Sequence, residues 1–135
     1  MFYRPVSGGE SPVLKYIELK SGYSGNGPAW IGRVKLSKSR QTIYFNGKAL
    51  KRGGGTRGNH FDIDTREEYW VSGVKKDGTD RHWAGNGKVL IETSAVEEYL
   101  EFTGAGALDL KRLQVIPDLP STDPKKFIAA ENERL

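Results

Sequence analysis

The chain has 135 residues, 36% of them hydrophobic and 28% charged, with three Trp, six Tyr, five Phe and no Cys. Such a length suits one domain that buries about two-thirds of its unfolded surface, and the aromatic content argues against a disordered chain. The lack of cysteine excludes disulfides, thiolate catalysis and Cys-based zinc sites, and no apolar run approaches the ~20 residues of a membrane helix.

Charge is unevenly placed. The net charge is +4, but residues 33–88 hold thirteen Lys/Arg against six Asp/Glu, and residues 89–135 hold five against nine. Between Arg33 and Arg57 stand eight basic residues and no acid. A basic body with an acidic C-terminal part points to an anionic partner for the body.

Residues 1–12, with Pro5, Gly8, Gly9 and Pro12, read as an extended lead-in, and nothing in them resembles the apolar core of a signal peptide. A cytoplasmic protein is therefore expected. Val13 to Lys20 is the first predicted strand, with Val13, Ile17 and Leu19 on one face and Leu14 and Tyr16 on the other. After a glycine-rich loop, Trp30, Gly32, Val34 and Leu36 alternate with Ile31, Arg33 and Lys35, which places the first set inward and the two cations outward. The polar turn Ser37-Lys38-Ser39-Arg40 leads to a strand over QTIYFN, and Asn46-Gly47 is a tight hairpin signal.

The GGGTRGNH stretch at 53–60 reads as a loop, Phe61 to Asp64 as a short strand, and Glu68 to Lys75 as the clearest strand after the hairpin. Asp77-Gly78 turns the chain, and Val89 to Ile91 supplies the last strand of the body. One core is expected from Trp30, Val34, Ile43, Phe45, Val71 and Leu90. Ser94 with Glu97 forms a capping-box pattern and Gly104 a helix terminator, which predicts a helix over about 95–103. Asp123-Pro124 predicts a terminal, weakly packed helix over 124–134.

The fold class that follows is mainly β, α+β overall: a small curved antiparallel sheet or SH3-like barrel with C-terminal helices, an OB-like barrel being the second choice. Residues 13–104 would form the barrel-like domain, closing with the helix, and residues 105–135 an extension.

Neither glycine-rich stretch is a phosphate loop: GGGTRG lacks the terminal Lys-Ser/Thr, and Lys88 in AGNGK is followed by Val89. On a strand His60, Asp62 and Asp64 would share one face and could hold a divalent ion, whereas the plainer reading turns Phe61 and Ile63 inward and leaves the polar side chains in water. Asp80 and His82 could form an acid/base pair, with Arg81 or Lys88 holding an anion, or Trp83 could stack on a base. Arg33, Lys35, Arg40, Lys48, Lys51, Arg52, Arg81 and Lys88 are the candidate anion contacts, and Tyr44, Trp70 and Trp83 the candidate stacking platforms.

The runs GPAWIGRV, SKSRQTIYFNGKAL and GNHFDIDTREEYWVSGVKKDGTDRHWAGNGK, spread over roughly residues 13–104, resemble a group of short bacterial proteins that often carry the label 1-deoxy-D-xylulose-5-phosphate synthase. The resemblance implies a compact bacterial domain and brings no catalytic residues. The enzyme of that name is a far larger thiamine-diphosphate protein whose cofactor is held through a Gly-Asp-Gly motif, and that motif does not occur here.

The expectation is thus a binding module for an anionic partner, nucleic acid before an acidic protein surface, with no cofactor, no metal and no membrane. A small metal-assisted phosphodiesterase or hydrolase using the named His and Asp residues is the alternative, and a protein-interaction module the third. Oligomeric state is left open.

Overall fold

In the computed structural model, which describes residues 12–20, 27–53, 57–78 and 87–127, the chain first builds six antiparallel strands: β1 Val13–Leu19, β2 Ala29–Leu36, β3 Thr42–Phe45, β4 Lys48–Arg52, β5 His60–Asp62 and β6 Glu68–Ser72. Each strand pairs with the next, and β6 pairs back to β1 through Tyr16↔Ser72 to Leu19↔Tyr69, so the sheet closes into a barrel. An even strand number lets the ring close with every pairing antiparallel and leaves no edge within it. The expected small β-barrel is what forms.

The turns follow from local chemistry. Asn46 and Gly47 both take positive φ, 54° and 73°, giving the two-residue β3–β4 hairpin its twist. Gly78 (φ 76°) closes the turn after Asp77 with its N–H on Lys75 O at 3.2 Å.

Inside the barrel Ile17, Val34, Ile43, Phe45, Leu50, Tyr69 and Val71 pack together, with Leu19, Trp30 and Leu36 partly buried against them. Trp30 meets Phe45 edge-on, ring centroids 5.6 Å apart. Four of the six expected core residues are buried in this cluster; Leu90 stands beside Trp30 in the ladder, half-buried, and lies outside it.

A second core lies on the outer wall. β7, Val89–Glu92, runs parallel to the first half of β2, and β8, Leu113–Ile116, runs parallel to β7. Between them, after a 3-10 turn at Thr93–Ala95, comes the helix α1, Val96–Thr103. Tyr16, Ala29, Ile31, Val89, Ile91, Ala95, Tyr99 and Leu113 are buried together there. Ile31 therefore does not face solvent beside Arg33 and Lys35; it faces this second core.

The helix comes where the pattern placed it, but the capping box does not form. Ala95 is the N-cap, no side chain caps it, and the Ser94 N–H donates instead to Asp118 Oδ1 at 2.9 Å. Gly104 ends the helix with φ 74° and its N–H on Leu100 O.

The chain after Gly104 is built into the same body. β8 joins the sheet, Leu119 packs against the barrel core, and Thr122 Oγ1 donates to Lys48 O at 3.1 Å. Pro124–Phe127 is a 3-10 turn rather than the start of an α-helix within the described residues, and Phe127 is buried against Tyr44 and Ala49 rather than loosely appended. Among the described residues no helix is long and apolar enough to cross a membrane.

Candidate anion-binding rim

The basic residues are best followed strand by strand. The β2–β3 turn is braced by its serines: Ser37 N–H donates to Thr42 O (2.9 Å), Thr42 N–H to Ser37 Oγ (3.1 Å) and Gln41 N–H to Ser39 Oγ (3.3 Å). Arg40 takes φ 64° there, with its N–H on Ser37 O. The geometry leaves Lys38, Ser39, Arg40 and Gln41 exposed at one rim of the barrel.

The end of β4 is tied to the same rim, because the Arg52 N–H donates to Gln41 O at 2.6 Å. Lys51 stands opposite Thr42 and Lys35 opposite Tyr44 on the outer wall, while Arg52 stands opposite His60. No Asp or Glu occurs between Ala29 and Phe61, so β2, β3 and β4 carry no carboxylate of their own. His60 stands opposite Arg52, and its pKa is lowered to about 4, first by burial and then by the charges of Arg52 and Lys15.

Other expected anion contacts are drawn away. Arg33 Nε pairs with Glu98 Oε1 of α1 at 3.2 Å, and Lys48 Nζ lies 3.5 Å from Oδ2 of the buried Asp62. Lys88 is exposed, but it precedes β7 beside the start of β2, at the opposite end from the hairpin. Arg81 lies outside the described residues. Of the stacking candidates, Tyr44 is buried beneath Phe127 and offers no face, Trp70 is 42% exposed on β6, and Trp83 lies outside the described residues.

His60 and Asp62 share a face of β5 as the spacing requires, yet that face is the barrel interior. This reverses the plainer expectation, in which Phe61 and Ile63 fill the core. Phe61 instead lies under the Arg66 guanidinium, 5.3 Å from the ring centroid, and Ile63 packs on the outer cluster of Tyr44, Ala49 and Phe127.

Asp62 is held by structure: its Oδ1 accepts the N–H groups of Asp64 (2.8 Å) and Thr65 (3.3 Å), and its Oδ2 faces Lys48. Asp64 is exposed. His60 Nδ1 lies 2.9 Å from Asn59 Oδ1. Asn59 spans Val71, donating from Nδ2 to its carbonyl and accepting its N–H at Oδ1, both at 2.8 Å. With Oδ1 fixed as the acceptor, the neutral imidazole carries its proton on Nδ1. Among the described residues no three His, Asp or Glu side chains gather closely enough to hold a metal ion. Asp80 and His82 lie outside the described residues.

Sequence reasoning passed over Glu92. β7 and β3 pair with the same edge of β2 and end head to head near Gly32. The Glu92 carboxylate fills that gap: Oε2 accepts the Leu119 N–H at 2.7 Å, and the Arg33 main-chain N–H also bonds it. A Cβ on Gly32 would overlap Glu92 Oε1, so glycine is needed where the carboxylate enters. Burial raises the Glu92 pKa, against the two N–H bonds, and Asp118 adds to the rise. A cavity of about 220 Å³ opens beside it, lined by Arg33, Lys35, Tyr44, Glu92, Asp118 and Thr122 among others. Its mixed charge does not suit an anion as well as the rim does. A single Glu at the end of an apolar strand gave no signal of this role.

Comparison with known protein families, with curated proteins and with solved structures finds no match.

Proposed function

We propose that the chain is a non-enzymatic binding module that docks an anionic partner, nucleic acid, on the rim built by the β2–β3 hairpin and the end of β4. The observation that carries this reading is the main-chain bond from Arg52 to Gln41, which brings Arg52 to the turn bearing Lys38 and Arg40 in a stretch free of acids. Lys51 and Lys35 extend the positive surface along the outer wall. Main-chain hydrogen bonds at the turn fix the spacing of the cations, which suits recognition of a regular phosphate backbone more than of a single small anion. The buried His60 and Asp62 are committed to Asn59, the turn after β5 and Lys48, which speaks against an acid/base role.

Titration with labelled single- and double-stranded oligonucleotides over a range of salt tests it. Each phosphate contact adds roughly 0.7–0.9 to the slope of log affinity against log salt, so replacing Lys38, Arg40, Lys51 and Arg52 together by Gln should lower the slope by about 3. Arg33→Gln, which removes a cation already paired with Glu98, should change it little. A folded fourfold variant that binds with the parent's slope refutes the rim. Binding to polyglutamate but to no oligonucleotide would move the partner to an acidic protein surface.

A further inference from the structure

β8 ends the sheet: it pairs with β7 on one side, and among the described residues no strand pairs with the other. The register shows which groups are left over. Val89 N–H donates to Arg112 O at 2.9 Å with Val89 opposite Leu113, so Arg112, Gln114 and Ile116 turn their main-chain groups to β7 and the alternate residues turn theirs away. Leu113 spends its outward N–H on Asp109 O, 2.9 Å away. Val115 is left with both its N–H and its carbonyl directed off the edge, and its side chain is 42% exposed.

Natural edges are commonly blunted at the centre by a charge, a proline or a bulge. Here the centre is an exposed valine, and proline comes only at position 117, after the strand.

We propose that this edge binds a second copy of the chain, β8 against β8 in antiparallel register about a two-fold axis at Val115. The register is set by the donors. An antiparallel pair exchanges both main-chain bonds only at residues whose groups face the partner; Leu113 has spent its N–H and Pro117 has none, which leaves Val115 on the axis. That register places Arg112 of one copy opposite Asp118 of the other, twice by symmetry, on one face of the ribbon. Opposite charges facing across strands are the favourable arrangement, and a two-fold interface requires such self-complementarity.

The present partners of both side chains leave room for this. Arg112 donates to Gly78 O at 3.3 Å and stands 3.8 Å from Asp109, both contacts exposed, while Asp118 offers Oδ1 to Ser94 N–H. A four-residue edge buries far less than a standard interface, so the dimer is weak and dependent on concentration.

Sedimentation over a wide concentration range should show a reversible monomer–dimer equilibrium; a chain that stays monomeric at its solubility limit overturns the proposal. Because the chain has no cysteine, a single introduced thiol reports the register. Residues paired on the axis have Cα atoms about 5.5 Å apart, within the ~4.4–6.8 Å that a disulfide spans. Val115→Cys should oxidise to a covalent dimer, and Gln114→Cys, whose copies are displaced along the strands, should not. Equal cross-linking of the two overturns the register. Arg112→Glu should abolish the dimer and the added change Asp118→Lys should restore it; an Arg112→Glu chain that dimerises like the parent also counts against it.

Discussion

His60 offers the sharpest test of the barrel interior, because its state can be read by two methods. Its pKa is lowered from the ordinary 6.5 to about 4, which corresponds to a full difference on the order of 3 kcal/mol. Burial is the larger cause and the charges of Arg52 and Lys15, which water screens, the smaller, so about 2 kcal/mol is the working magnitude. The sign follows from proton counting. Between pH 6.5 and 4 the unfolded chain carries a proton on this imidazole and the folded chain does not, so stability from this group is complete above 6.5 and is lost as pH falls toward 4. Glu92, whose pKa is raised by burial, works in the opposite sense, gaining stability relative to the unfolded chain as the medium becomes acid. His60→Gln separates the two, since it removes the first dependence and leaves the second; urea unfolding near neutrality and in acid should show the parent losing about 2 kcal/mol more than the variant. In NMR one imidazole should titrate near pH 4 with its neutral proton on Nδ1, and that resonance should vanish in His60→Gln. Titration of the His60 ring near 6.5 would refute the account of a buried ring in a positive field.

Two further substitutions test the packing. Gly58→Ala would set a Cβ 2.5 Å from Tyr69 O and 2.9 Å from Tyr69 N, so denaturant unfolding should show a loss of about 1–3 kcal/mol. Phe127→Ala should cost about 3 kcal/mol and leave Tyr44 open to solvent, detectable as increased reactivity of that ring toward nitration.

The barrel was legible because its strands announce themselves by alternation and by Asn46-Gly47, whose φ requirements admit little else. What alternation could not show is that β2 is buried on both faces over its first half. Ala29 and Ile31 face α1 and β7 there, while Val34 faces the barrel core. The hint lay in AWIG, a continuous apolar run that precedes the alternating RVKL. The phase of β5 was read the wrong way round for a related reason. Polarity alone sends His60 and Asp62 to water, but the turn at residues 63–65 needs the Asp62 carboxylate as an acceptor, and Lys48 arrives from β4 to pair with it. Partners supplied by another strand are invisible along one segment.

Charge shows the same division between what a segment states and what the fold decides. The acid-free stretch from Ala29 to Phe61 was plain in the sequence, but a run of cations is not yet a surface. Glu98 from α1 reaches Arg33, and Asp62 from β5 reaches Lys48, so acids from beyond the run answer at least these two of its cations. Arg52, by contrast, stands opposite His60, whose pKa is lowered first by burial and then by the charges of Arg52 and Lys15. The proposed docking face is therefore the rim, where the turn through Arg40 meets the end of β4, rather than the whole wall of β2 and β3. On the proposed reading a polyanion meets this rim in preference to Arg33 and Lys48, because opposite charges held 3.2–3.5 Å away already answer those two.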